Sequence, residues 1–152
     1  MTALRMGVLS VALSLVLGAC GNEDRQIEAR MEHAAEFMRD ELDPAVDGIW
    51  LRSGWVLTDQ GEESLFPDTE EGWDEVVASA QNVIALTEEL KTEEYSDNDP
   101  EWIAISDGLI VAAELARDAA QAREEQALFD AGGQMYRVCL ACHQRYAMEA
   151  PE

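Results

Sequence analysis

The sequence predicts an all-α protein, folded as an antiparallel four-helix bundle. Apolar residues recur at steps of three and four through four separate segments, while strand signals stay weak. The connections after the second and third segments are short, which favours antiparallel neighbours. No repeat of fixed period is present, and 152 residues suit one domain.

The first segment runs from about Asp24 to Leu51. Its stripe is Ile27, Met31, Ala34, Met38, Leu42, Ala45 and Ile49. Pro44 interrupts it, because proline removes a helical hydrogen bond and crowds the preceding turn. Asp43-Pro44 also reads as a cap followed by proline at the first helical position, so a kink or restart is expected there. Residues 52–72, with Gly54, Gly61, Pro67 and Gly72, read as a long loop pinned by Trp50, Trp55, Leu57, Leu65 and Phe66. Loops of such length often cover something.

The second segment spans about Glu70 to Lys91, with Trp73, Val76, Val77, Ala80, Val83, Ile84, Thr87 and Leu90 on one face. Asp68 or Thr69 can cap its start, where Glu70 and Glu71 suit the helix dipole. Residues 92–99 read as an acidic loop. Asp99-Pro100 opens the third segment, whose stripe is Trp102, Ile105, Leu109, Ala113, Ala116 and Ala120. The fourth begins near Arg123 or Glu124 and runs to about Met148, through Leu128, Ala131, Met135, Val138, Cys142 and Tyr146. No glycine or proline marks the turn between the third and fourth. Gly132-Gly133 reads either as a close approach by another group or as a late start or kink of this helix.

Charge narrows the function. With 10 Lys+Arg against 32 Asp+Glu, the net charge is −22. Phosphate backbones repel such a chain, so nucleic acid is not an expected partner, and an acidic lipid surface is disfavoured equally. The hydrophobic content of 47% is enough for a core and argues against disorder. The paired glutamates read as solvated faces, no catalytic carboxylate pair stands out, and the chain is not expected to be an enzyme.

The N-terminus reads as an address. Arg5 precedes fourteen uncharged residues, Met6 to Ala19. That is short for a bilayer span, which takes about 20 residues, but it fits the apolar stretch of an export signal. Leu17-Gly18-Ala19-Cys20 resembles the lipobox of bacterial lipoproteins. The resemblance implies a signal peptide over 1–19, cleavage before Cys20 and a diacylglycerol thioether on its sulfur. Residues 20–23 are then a short lipidated link and 24–152 the helical body. Membrane attachment would be by the lipid alone, on the periplasmic side, with the outer membrane favoured because Gly21 follows the cysteine. An ordinary secretory signal is the plainer alternative.

The chemistry sits near the other end. Cys139-Leu140-Ala141-Cys142-His143 is C-x-x-C-H, the attachment signature of c-type haem. Two thiols three residues apart lie on nearly one side of a helix, where both can bond the vinyl groups of one porphyrin. The adjacent imidazole is a strong axial iron ligand. One covalent haem c is therefore the expected cofactor, held through Cys139 and Cys142, with His143 as the proximal iron ligand. The other readings are a structural zinc site, a thioredoxin-like pair and a plain disulfide. Zinc needs four ligands, and only His33 and carboxylates remain to complete the set. A thioredoxin-like pair needs a βαβ setting that the pattern lacks.

A C-x-x-C-H in the last helix of a four-helix bundle resembles the cytochrome c′ family. The aromatic residue three positions after the histidine, Tyr146 here, belongs to that pattern, whereas Ala147 stands where the family usually has Lys or Arg. The resemblance covers about residues 24–148. It implies a sixth iron position that is empty and crowded by the first helix, or filled by a methionine. Met31 and Met38 are the candidates for a distal iron ligand, since both lie on the apolar face of the first segment. It also implies pairing of two copies through the first two helices. Arg137 and Arg145 flank the motif and are candidates to pair with haem propionates. Electron transfer to a redox partner with a basic docking surface is the expected function. Binding or buffering of a diatomic gas such as nitric oxide is the alternative that the resemblance implies.

Overall fold

The computed structural model describes residues 9–147, with side chains from Glu23 onward. The described chain is mostly helical, with one small two-stranded sheet. Helix α1 spans Leu9–Phe37, a π-helical turn follows over Met38–Leu42, and α2 spans Asp43–Trp50. Strands β1 (Trp55–Thr58) and β2 (Gly61–Ser64) precede α3 (Glu70–Leu90), the short α4 (Glu93–Ser96), α5 (Pro100–Ala122) and α6 (Glu125–Tyr146). The lipobox falls on α1 and its surroundings, and the side chain of Cys20 lies outside the described set. Met148, the expected end of the last helix, also lies outside it.

The restart expected at Pro44 takes an unexpected form. Asp43 is not a cap: its backbone is helical, and its N–H bonds Met38 O five residues back. Widening one turn lets the chain pass a residue without an N–H while the helix continues, a known role of π turns. The stripe on either side is only partly buried. Ala34, Leu42, Ala45 and Ile49 are core, joined by Phe37, but Ile27 is half exposed.

Residues 52–72 are not a plain loop. β1 and β2 pair antiparallel, with Trp55 opposite Ser64 and Thr58 opposite Gly61. The sequence hides this hairpin because both strands are exposed throughout and so lack the apolar–polar alternation of a half-buried strand. Phe66 is buried and Trp55 packs against it with ring centroids 5.1 Å apart, whereas Leu57 faces solvent. The acidic stretch 92–99 likewise holds α4, whose Tyr95 is buried against Phe37.

Thr69 caps α3 by accepting from Gly72 N, and Asp99 caps α5 by accepting from Glu101 N. The α5–α6 turn closes without glycine. Arg123 adopts a left-handed conformation (φ 57°), while its N–H bonds Ala120 O and the Glu124 N–H bonds Ala119 O.

α3 packs along α5, α5 along α6, and α2 along α3. Their meeting faces are fully buried at Ile49, Val76, Val83, Leu128 and Met135, with small alanines on α5 allowing close approach. α1 by contrast touches mainly the π turn and α4. Among the described residues, no helix is long and apolar enough to cross a membrane.

Candidate functional site

Cys139, Cys142 and His143 all line one cleft of about 230 Å³. The π turn and α2 form one wall, α3 and α5 the floor, and α6 the wall that carries the motif. Met38, Leu42, Val46, Trp50, Leu90, Trp102 and Leu109 make the lining apolar. Two of its three hydroxyls are turned onto their own helices: Thr87 Oγ1 donates to Val83 O at 2.6 Å and Ser106 Oγ to Trp102 O at 2.9 Å, while Tyr136 supplies the third. The cleft thus presents few free polar groups to a guest.

The thiols differ from ordinary ones. Burial pushes Cys139 up to about 11, with help from the neighbouring Cys142 thiol and Asp43, and burial also raises Cys142. Both are therefore protonated at neutral pH, and no bond joins them. His143 is exposed at the mouth. It also lines a second cleft, of about 230 Å³, shared with Met31, Met38 and Tyr146. Met38, Trp102 and Cys142 line both spaces.

The end of α6 is fastened to the start of α5. Tyr146 donates its hydroxyl to Asp99 Oδ2 at 2.8 Å and meets Trp102 edge-on at 5.0 Å. Burial and the adjoining Asp99 push the tyrosine up to about 12, while Tyr146 and the Glu101 N–H hold the Asp99 carboxyl below its usual range. Arg145 bonds Glu101 Oε2 at 3.0 Å, so it is already engaged. Arg137 is exposed and makes no ion pair among the described residues.

Gly132 is a close approach. Trp50 donates to its carbonyl at 3.1 Å, and a Cβ there would sit 3.3 Å from the indole. α6 runs unbroken through the pair, so neither a late start nor a kink occurs. His33 lies away from the cleft, stacked on Tyr95 and within 3.1 Å of Glu94.

The cysteine, histidine and aspartate donors on the cleft are not gathered as an ion site. Two thiols and an imidazole line one apolar cleft, which at about 230 Å³ would leave part of a porphyrin outside its walls. Among the described residues no three His, Cys, Asp or Glu converge as an ion site. Sequence reasoning did not find Asp43, Tyr136 and Leu140 on the lining. The latter two share a helical face with His143 at steps of four and three, the one signal that points to them. Comparison with protein-family models, curated proteins and solved structures finds no match for this chain.

Proposed function

We propose that this chain is a c-type haem protein that carries electrons, built as a cytochrome c′-like antiparallel four-helix bundle. The observation that carries the reading is the shared position of Cys139, Cys142 and His143 on one apolar cleft. The bundle reading is supported by the order of packing, with α1, the π turn and α2 counted as one composite first helix. The lipobox-like LGAC supports a lipid on Cys20 and a periplasmic, outer-membrane setting.

In this reading Cys139 and Cys142 would hold the porphyrin through thioethers, and His143 would bind its iron. The haem supplies one-electron chemistry when bound. The chain's own share is to keep water out and the motif still. Leu42, Val46, Leu90 and Leu109 wall the cleft from solvent, and Tyr146 with Asp99 anchors the helix end three residues after His143. Met38 is the thioether that reaches both clefts beside His143, so it ranks ahead of Met31 as a distal ligand. Gas binding is the second reading, favoured by a mainly apolar lining: besides the motif and Met38, its side-chain donors are the Asp43 carboxylate, the Tyr136 phenol and the Thr87 and Ser106 hydroxyls, the last two turned onto their own helices.

The test is an absorption spectrum of chain matured with bacterial haem-attachment machinery, taken oxidised, reduced, and reduced with carbon monoxide. A low-spin spectrum unmoved by the gas, lost in Met38→Leu, supports electron transfer with methionine on the iron. A high-spin spectrum that shifts with the gas supports an open site. Absence of covalent haem overturns both.

A further inference from the structure

α6 has a second apolar face that points outward. Phe129, Tyr136 and Leu140 are each at least 40% exposed, and they lead along the helix to exposed His143. The hairpin extends this face. Trp55 packs on Phe129 with centroids 5.6 Å apart, and Leu57 beyond it is 86% exposed. Tyr136 and Leu140 also line the cleft beside Cys139, so the exposed strip ends at its mouth. Contiguous apolar surface of this kind marks interaction sites, and its aromatic content is that of interface centres.

The charges around the strip choose the occupant. The hairpin carries exposed Asp59, Glu62 and Glu63 and no basic residue; on α6, Asp130 lies beside Phe129 and exposed Arg137 beside Tyr136, so the balance around the strip is acidic. A second copy would bring the same acidic rim against itself, and an anionic bilayer would be repelled too. We propose that this strip is the docking surface for a protein whose apolar contact centre is ringed by lysine or arginine. The inference rests on the haem reading in one respect: the strip matters for electron exchange because it ends at the haem-attachment motif.

The test titrates the haem-loaded full chain, in detergent micelles, against a lysine-rich mitochondrial-type cytochrome c by calorimetry at low and physiological salt. Leu57→Ser and Phe129→Ser should each weaken binding about thirtyfold, the size of an interface hot spot. Glu62→Gln with Glu63→Gln should flatten the salt dependence. Val111→Ser and Leu115→Ser, exposed apolar positions on α5, should leave binding within about twofold. Circular dichroism melts confirm that each variant folds. Equal losses from the α5 variants, no binding at either salt, or hairpin-dependent dimers or adsorption to anionic vesicles would overturn the proposal. The same titration on the haem-free Cys139→Ala, Cys142→Ala chain separates the two readings. Strip-dependent binding there upholds the surface whatever the spectrum says about haem.

Discussion

Trp50 and Gly132 are 82 residues apart in sequence, yet the indole N–H of one bonds the carbonyl of the other at 3.1 Å. This bond pins α2 to α6 at the edge of the cleft. A Cβ on α6 here would sit 3.3 Å from the indole, so the ring would have to shift by a few tenths of an ångström to admit it.

The neighbouring glycine supplies the control. A Cβ at Gly133 would meet only the end of the Arg137 side chain, at 3.9 Å. Gly133→Ala should therefore gain the helix-propensity difference, about 1 kcal/mol, and raise the melting temperature. Gly132→Ala gains the same propensity and loses it to crowding against Trp50. A calorimetric melt in which Gly132→Ala stabilises as much as Gly133→Ala would show that the indole yields freely.

Leu128 is fully buried where α6 meets the core. Leu128→Ala should cost about 2–5 kcal/mol, the transfer loss plus an unfilled cavity. Chemical denaturation reads this directly, and a loss under about 1 kcal/mol would mean that the helices close over the gap.

Tyr146 gives a signature at high pH. Its phenol is held up at about 12, against an ordinary 10.0, so the folded state keeps a proton that the unfolded chain gives up first. The contribution is complete below pH 10 and is lost as pH rises toward 12. Asp99, held low, works in the opposite direction: its contribution is present above its ordinary value and fades as pH falls through the lowered one. Tyr146→Phe should flatten the alkaline decline in melts between pH 9 and 12 relative to the parent chain. An unchanged slope would show that the phenol–carboxylate bond contributes nothing to folding.

The cysteines report on themselves. With Cys139 near 11 rather than 9.0, its thiolate at pH 8 is on the order of a hundredfold scarcer than in the unfolded chain. Haem-free protein should thus be alkylated slowly by iodoacetamide when folded and quickly in denaturant. Haem-loaded protein should resist in both states, its sulfurs already used as thioethers. Mass spectrometry reads both, and fast alkylation of folded haem-free chain would contradict the burial.

The sequence carries the helices where apolar spacing and caps coincide, as at Thr69 with Trp73 and at Asp99 with Trp102. The motif is equally legible, because its three residues fall within five positions of the chain. What escapes is whatever depends on distant chain. The hairpin has no buried face to show its period, and the α5–α6 turn uses Arg123 where glycine would have announced it. The stripe expected at Ile27 is left half exposed because α1 leaves the core before reaching it. The cleft walls come from separated segments, and only their packing puts Leu42, Leu90 and Leu109 beside Cys139.

Helix α1 has a mechanical meaning. It runs unbroken through Cys20 to Phe37, a length of about 25 Å at 1.5 Å per residue. If a lipid holds its start, the body stands on a strut and not on a slack tether. The cleft and the aromatic strip would then keep a set height above the bilayer. Partners would be met within a shell of fixed radius, which is a way of choosing among them by reach as well as by charge.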